Sequence, residues 1–142
     1  METIKTDILI IGGGSAGCMA AIEAKDAKPE LDVTVMEKAH IRRSGALARG
    51  MEALNVVILP GITTPEEYVQ YLTATFEGIV NQDLCYLEAV ESLRVVKELE
   101  DWGVEFPKDK VGRYRRSGRF MVDMRGDLKP LLARQVTRRG VK

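Results

Sequence analysis

Cysteine and histidine are nearly missing from this chain. Its 142 residues hold two cysteines, Cys18 and Cys85, far apart in sequence, and one histidine, His40. That spacing excludes an iron–sulfur or zinc framework built from this chain, and no metal site is expected. Each cysteine reads as a buried helix residue in a reducing compartment. No apolar run approaches the length of a membrane span, and strand residues begin at once without a signal-peptide pattern. The expectation is therefore a cytoplasmic protein with no membrane span. Internal repeats and low-complexity segments are also absent.

Excess charge is missing too: 21 basic residues balance 21 acidic ones. The distribution is uneven, because residues 107–142 carry twelve Lys and Arg against Asp109, Asp123 and Asp127, while residues 61–106 are strongly acidic. No recognition motif accompanies the basic residues, so no nucleic-acid partner is expected. They read as a solvated surface or as neighbours in a larger assembly, although a subset such as Arg119 could hold a small anionic substrate by paired hydrogen bonds. With 45% hydrophobic residues, the chain is long enough for one domain-sized core.

What the chain does have is concentrated near its start. The stretch DILIIGGGSAGCMAA, residues 7–21, opens with the apolar run Ile8 to Ile11, which reads as a buried parallel strand. Helix formers follow from Ser15 to Ala27. Between them stand Gly12, Gly14 and Gly17 in G-x-G-x-x-G spacing. In such a turn Gly12 permits the tight exit from the strand, Gly14 lets backbone approach a pyrophosphate, and Gly17 lets helix pack closely on strand. The free N–H groups at the helix start favour a phosphate at the bend. Glycine-rich turns also arise for packing alone, so the acid that follows matters. LDVTVMEKA, residues 31–39, reads as the next strand and ends at Glu37, twenty residues after Gly17, where a dinucleotide site needs a carboxylate for the adenosine ribose. Strand, turn, helix, strand and acid in that order predict a dinucleotide-binding βαβ unit of an α/β fold. Glu37 would repel a 2′-phosphate, which leaves FAD or NAD.

Further on, Thr64, Pro65 and Glu67 form a capping box that starts a helix near Pro65. A longer helix is predicted from about Asp83 to Trp102, with Leu84, Leu87, Val90, Leu93, Val96 and Leu99 as its apolar face and Gly103 as its stop. VEF, residues 104–106, reads as a short strand, part of residues 112–124 as another, and Asp127 to Arg139 as a helix. Small residues crowd the stretch after the acid, at Ser44, Gly45, Ala46, Ala48 and Gly50, where backbone can lie flat beside a large planar ligand.

At EKAHIRRSGALARGMEALN, residues 37–55, the sequence resembles the flavoprotein subunits of the fumarate reductase and succinate dehydrogenase superfamily. The segments RSGALARGMEALN, EDWGVEF, RSGRF and GDLKP make it most similar there to the α subunits of the adenylylsulfate reductases. The resemblance implies a Rossmann-like FAD-binding fold, a parallel sheet with flanking helices, incomplete at its C-terminal end. Residues 1–60 would form the βαβ dinucleotide unit with the flavin segment, and residues 61–142 its helical and short-strand continuation. It also implies an FAD-dependent oxidoreductase with two-electron flavin chemistry, reducing adenylyl sulfate to sulfite and AMP with an iron–sulfur electron-transfer partner subunit. The alternatives are a fumarate reductase-like protein acting on a C4 dicarboxylate and a non-catalytic FAD-binding fragment. Matched to the family's motifs, Gly12, Gly14, Ser15, Ala16 and Gly17 line the pyrophosphate, and Glu37 takes the ribose with Lys38 as its neighbour. Ser44, Gly45, Ala46, Gly50 and Met51 face the flavin, and Asn55 stands near its reactive nitrogen or serves as a packing amide. Gly45 occupies the position of the histidine that bonds FAD covalently in succinate dehydrogenases, so the implied flavin is non-covalent. His40 lies five positions earlier and reads as a surface loop residue.

Overall fold

The computed structural model describes residues 3–142, and its backbone forms two compact units. The first comprises Met1–Gly50 with Asp127–Lys142, and the second Met51–Gly126.

In the first unit, β1 (Ile8–Ile11) and β2 (Val33–Met36) pair in parallel, Ile8 opposite Val33 and Ile11 opposite Met36. The helix α1 (Ser15–Ala27) connects them, as a parallel pair requires. Cys18, Ala21 and Ile22 of α1 are fully buried. Only part of the expected strand burial is observed. Leu9 and Ile11 are 51% and 75% exposed, because side chains alternate across a strand and only one face meets the helix. On the other edge of β2, the Lys142 N–H donates to the Val33 carbonyl at 3.0 Å and the Val35 N–H donates to the Lys142 carbonyl at 2.8 Å. Two 3₁₀ turns follow β2, at Ile41–Arg43 and Ala46–Arg49. The last helix of the chain, Leu128–Arg138, returns to this unit, and the Asp127 carboxylate caps it by accepting from the Lys129 N–H at 3.2 Å.

In the second unit, β3 (Ala53–Asn55) is followed by α2 (Pro65–Thr75), α3 (Gln82–Asp101) and β4 (Met121–Asp123); the returning helix at Leu128–Arg138 is α4. The strands β3 and β4 pair antiparallel, Asn55 opposite Met121. The expected capping box opens α2: the Glu67 N–H donates to Thr64 Oγ1 at 3.2 Å and the Thr64 N–H donates to Glu67 Oε2 at 3.0 Å. Gly103, at φ +99°, ends α3, and the Val104 N–H reaches back to the Leu99 carbonyl at 2.9 Å. Ile58, Tyr68, Ala89 and Phe120 form a core cluster, with the Tyr68 and Phe120 rings edge to face at 5.2 Å. Ser92 joins α3 to it, its Oγ accepting from the Ile58 N–H at 2.9 Å and donating to the Ala89 carbonyl at 2.6 Å. Burial pushes the Tyr68 phenol up to about 12.

The apolar face predicted for α3 is not one face: Leu84, Leu87 and Val90 are exposed, while Ala89, Ser92, Val96 and Leu99 are buried. Residues three apart on a helix step about 60° backwards, so six of them wind around the axis instead of forming a stripe. The VEF segment is not a strand, since its ordered pairing is a single bridge between Glu105 and Arg125. The basic segment is largely neutralised by acids, with Lys108 on Glu100 at 2.8 Å, Arg119 on Glu67 at 3.1 Å and Arg139 on Asp26 at 2.6 Å.

Candidate functional site

The glycine bend lies between β1 and α1. Its entry is tied to the end of β2 by the Gly12 N–H, which donates to the Met36 carbonyl at 2.8 Å with Gly12 at φ +97°. A Cβ on Gly17 would stand 1.9 Å from the Gly12 carbonyl oxygen, so helix and strand approach as closely as glycine allows. By contrast, a Cβ on Gly12 or Gly14 would meet nothing within 4 Å. The bend is open at Gly12 and Gly14, while the Ile41 and Glu37 side chains close on Gly13 between them. Gly14 caps α1 without any side-chain hydrogen bond, and the first turn contains no acidic residue. The first N–H groups of a helix lack intrahelical partners and carry partial positive charge. Ser15 and Ala16 are exposed, so this end of α1 is accessible.

Gly13 is the hub of the site. Its N–H donates to Glu37 Oε2 at 2.7 Å, while Glu37 Oε1 accepts from the Ala39 N–H at 2.9 Å. The Ala39 amide first, and then the Gly13 amide, hold the Glu37 carboxyl below the usual carboxylate range, outweighing the partial burial that pushes it up. The acid predicted from spacing therefore sits at the bend and stays ionised. On the carbonyl side, Ser44 Oγ donates to the Gly13 oxygen at 3.1 Å and Cys18 Sγ donates to it at 3.4 Å. Lys129 Nζ, from α4, donates to the same oxygen and also lies 3.4 Å from Cys18 Sγ. Gly45, at φ +78°, comes so near that a Cβ there would lie 3.1 Å from the Gly14 Cα.

The structure thus brings together Gly12, Gly14, Ser15, Ala16, Gly17, Glu37, Ser44 and Gly45. Lys38 is exposed beside Glu37, and Ala46 and Gly50 begin and close the second 3₁₀ turn. His40 is exposed, as expected, with Nδ1 accepting from the Arg42 N–H at 3.2 Å. A cleft of about 590 Å³ in this unit is lined by His40, Arg42, Arg43, Ala48, Asp127 and Pro130.

Met51 and Asn55 belong to the second unit. Asn55 ends β3, exposed, on a groove of about 580 Å³ walled by Tyr68, Tyr71, Phe76 and Phe120. Arg119 lines the same groove but is engaged by Glu67 at 3.1 Å, with its guanidinium 5.3 Å from the Phe120 ring centre. Lys129 is the residue that sequence reasoning missed. The one available signal was a lysine interrupting the apolar residues Leu128, Leu131 and Leu132 of α4.

An open bend, an uncapped helix start and a fixed carboxylate stand together here, an arrangement that could hold a nucleotide diphosphate. Residues 7–140 match the family of FAD binding domains, and the chain belongs to that family. FAD is accordingly its cofactor, and the residues at the bend have the chemistry to hold it: free helix N–H groups for an anion and a carboxylate that can accept from hydroxyls. The chain is 33% identical over 102 residues to the adenylylsulfate reductase subunit alpha of Megalodesulfovibrio gigas, covering 69% of this chain and 15% of that protein. It is 32% identical over 111 residues to the 8-methylmenaquinol:fumarate reductase flavoprotein subunit of Wolinella succinogenes, covering 75% and 18%. Its structure is similar to that of adenylylsulfate reductase from the hyperthermophilic Archaeoglobus fulgidus, with a TM-score of 0.84 and 36% identity over 96% of this chain and 23% of that one. The chain therefore spans less than a quarter of the length of these relatives. Among the described residues no group of three or more His, Cys, Asp or Glu is placed to hold a metal, and no helix is long and apolar enough to cross a membrane.

Proposed function

We propose that this chain is the dinucleotide-binding part of an FAD-dependent oxidoreductase whose substrate is adenylyl sulfate, reduced to sulfite and AMP. The observation that carries the reading is the Glu37 carboxylate held on the Gly13 amide beside an open, uncapped helix start. Similarity to adenylylsulfate reductases at 33% and 36% identity supports the choice of substrate. When bound, FAD supplies a centre that accepts or gives up two electrons. The chain's own residues bind and orient it. The N–H groups from Gly14 to Gly17 take the diphosphate, Glu37 accepts from the ribose hydroxyls, and Lys38 flanks it. Ser44, Gly45, Ala46, Gly50 and Met51 carry the flavin side, and Asn55 offers an amide to the reacting end. With glycine at position 45 no side chain there can bond the flavin, so FAD is held non-covalently. Electrons come from an iron–sulfur partner subunit, in keeping with relatives that are themselves named as subunits.

The test is spectroscopic. The purified chain is incubated with FAD, desalted, reduced without oxygen, and given either adenylyl sulfate or fumarate. Flavin reoxidation by adenylyl sulfate with release of sulfite and AMP is the expected result. Reoxidation by fumarate alone would assign a C4 dicarboxylate instead. Retained FAD that neither compound reoxidises would leave an FAD-binding module, and failure to retain FAD would overturn the reading.

A further inference from the structure

Lys129 is the largest fully buried side chain among the described residues, with 0% of its surface exposed, and it is a cation. Burying an ammonium is costly unless an opposite charge or a full set of hydrogen bonds offsets it. Among the described residues no carboxylate pairs with it; its nitrogen meets the Gly13 carbonyl and the Cys18 sulfur. Nor does the Gly13 oxygen need it. A carbonyl has two lone pairs, and Ser44 Oγ and Cys18 Sγ already donate to that oxygen. Glu37, the carboxylate bonded to the same residue, sits on its amide and not on its carbonyl. A lysine has thus been placed directly behind the glycine bend, reached from 116 residues away in sequence, without a carboxylate partner among the described residues.

The peptide geometry shows what the placement achieves. In a trans peptide unit the C=O and the next N–H point in opposite directions. With the Gly13 carbonyl turned onto the buried ammonium, the Gly14 N–H is turned the other way, and Gly14 is where a Cβ would meet only open space. The helix start and the ammonium then act on the same side of the charge balance, both favouring an anion at the bend.

We propose that Lys129 is a positioning residue whose buried charge is the counter-charge of the bound diphosphate: it acts through the Gly13 carbonyl and through its field, without touching the ligand. The proposal rests on the reading of the bend as a diphosphate cradle. The same logic predicts an inverse effect on the empty chain, since exchanging a buried, unpaired charge for an apolar side chain of similar size is neutral or stabilising.

The test compares the full 142-residue wild-type chain with Lys129→Met and Lys129→Gln, the second keeping a donor but no charge. Affinities for ADP and for adenosine are read by NMR titration, and the melting temperature is read without ligand. Both variants should bind ADP about tenfold to a hundredfold more weakly, bind adenosine as the wild type does, and the Met variant should melt no lower than wild type. ADP binding unchanged in either variant, or ADP and adenosine affinity falling together, would overturn the proposal. So would loss of folding in both variants, because the ammonium would then be a requirement of the empty fold. A wild-type chain that binds no ADP would instead refute the diphosphate cradle itself.

Discussion

Replacing Gly17 by alanine adds one methyl group at the tightest point of the first unit. That methyl would sit 1.9 Å from the Gly12 oxygen, 3.1 Å from the Gly12 carbonyl carbon and 3.3 Å from Ile10 Cγ2, whereas ordinary contact begins at 3.4 Å. The opposing atoms are mostly backbone and cannot rotate away. Gly12 is itself fixed to β2 through its hydrogen bond to Met36, so the start of α1 must move outward by more than an ångström. Overpacking of this kind costs about 1–3 kcal/mol, and a clash with backbone belongs at the upper end. For a chain of this size each kcal/mol lowers the melting temperature by about 2–4 °C, so Gly17→Ala should melt about 6–12 °C below wild type. Far-UV circular dichroism of the two chains without cofactor measures this. A drop of less than about 3 °C would refute the close strand–helix approach and the reason given for glycine at this position.

Three further outcomes follow from the same geometry. Gly14→Ala, at φ −66° with nothing within 4 Å, should melt within about 0.5 kcal/mol of wild type yet lose at least about tenfold in FAD affinity, read by flavin fluorescence. Glu37 is held below its usual pKa of about 4.3, so its contribution to stability is complete above that value and is lost as pH falls through the lower folded value. Melting curves on the acid side should therefore be flatter for Glu37→Gln, and parallel curves would contradict the two amide contacts. Asn55→Ala should retain FAD but lower adenylyl sulfate-dependent flavin reoxidation by about a hundredfold, as removal of one preorganised amide donor does; unchanged turnover would make Asn55 a packing residue.

The parts of this fold that depend on neighbouring residues were legible in the sequence. The bounds of β1 and α1, the Thr64–Glu67 capping box and the Gly103 stop are local chemistry, and the structure shows them where the sequence places them. The carboxylate was legible as well, because the length of a βαβ unit sets where the second strand ends, and Glu37 is on the Gly13 amide. Distant contacts were not legible. Nothing in Leu84, Leu87 and Val90 says that the side of α3 bearing Ala89 and Ser92 would be the buried one, since periodicity cannot tell which face a neighbour covers. Lys129 reads as an ordinary first-turn lysine until α4 returns to the first unit and carries its ammonium to Gly13.

Residue-resolved NMR of the labelled chain, titrated with FAD, tests whether the glycine bend is a diphosphate cradle. The largest amide shifts should fall on Gly12 to Gly17, with Ala39 following as the Glu37 carboxylate takes up the ribose. Saturating FAD that leaves those amides unmoved, while others shift, would contradict the cradle.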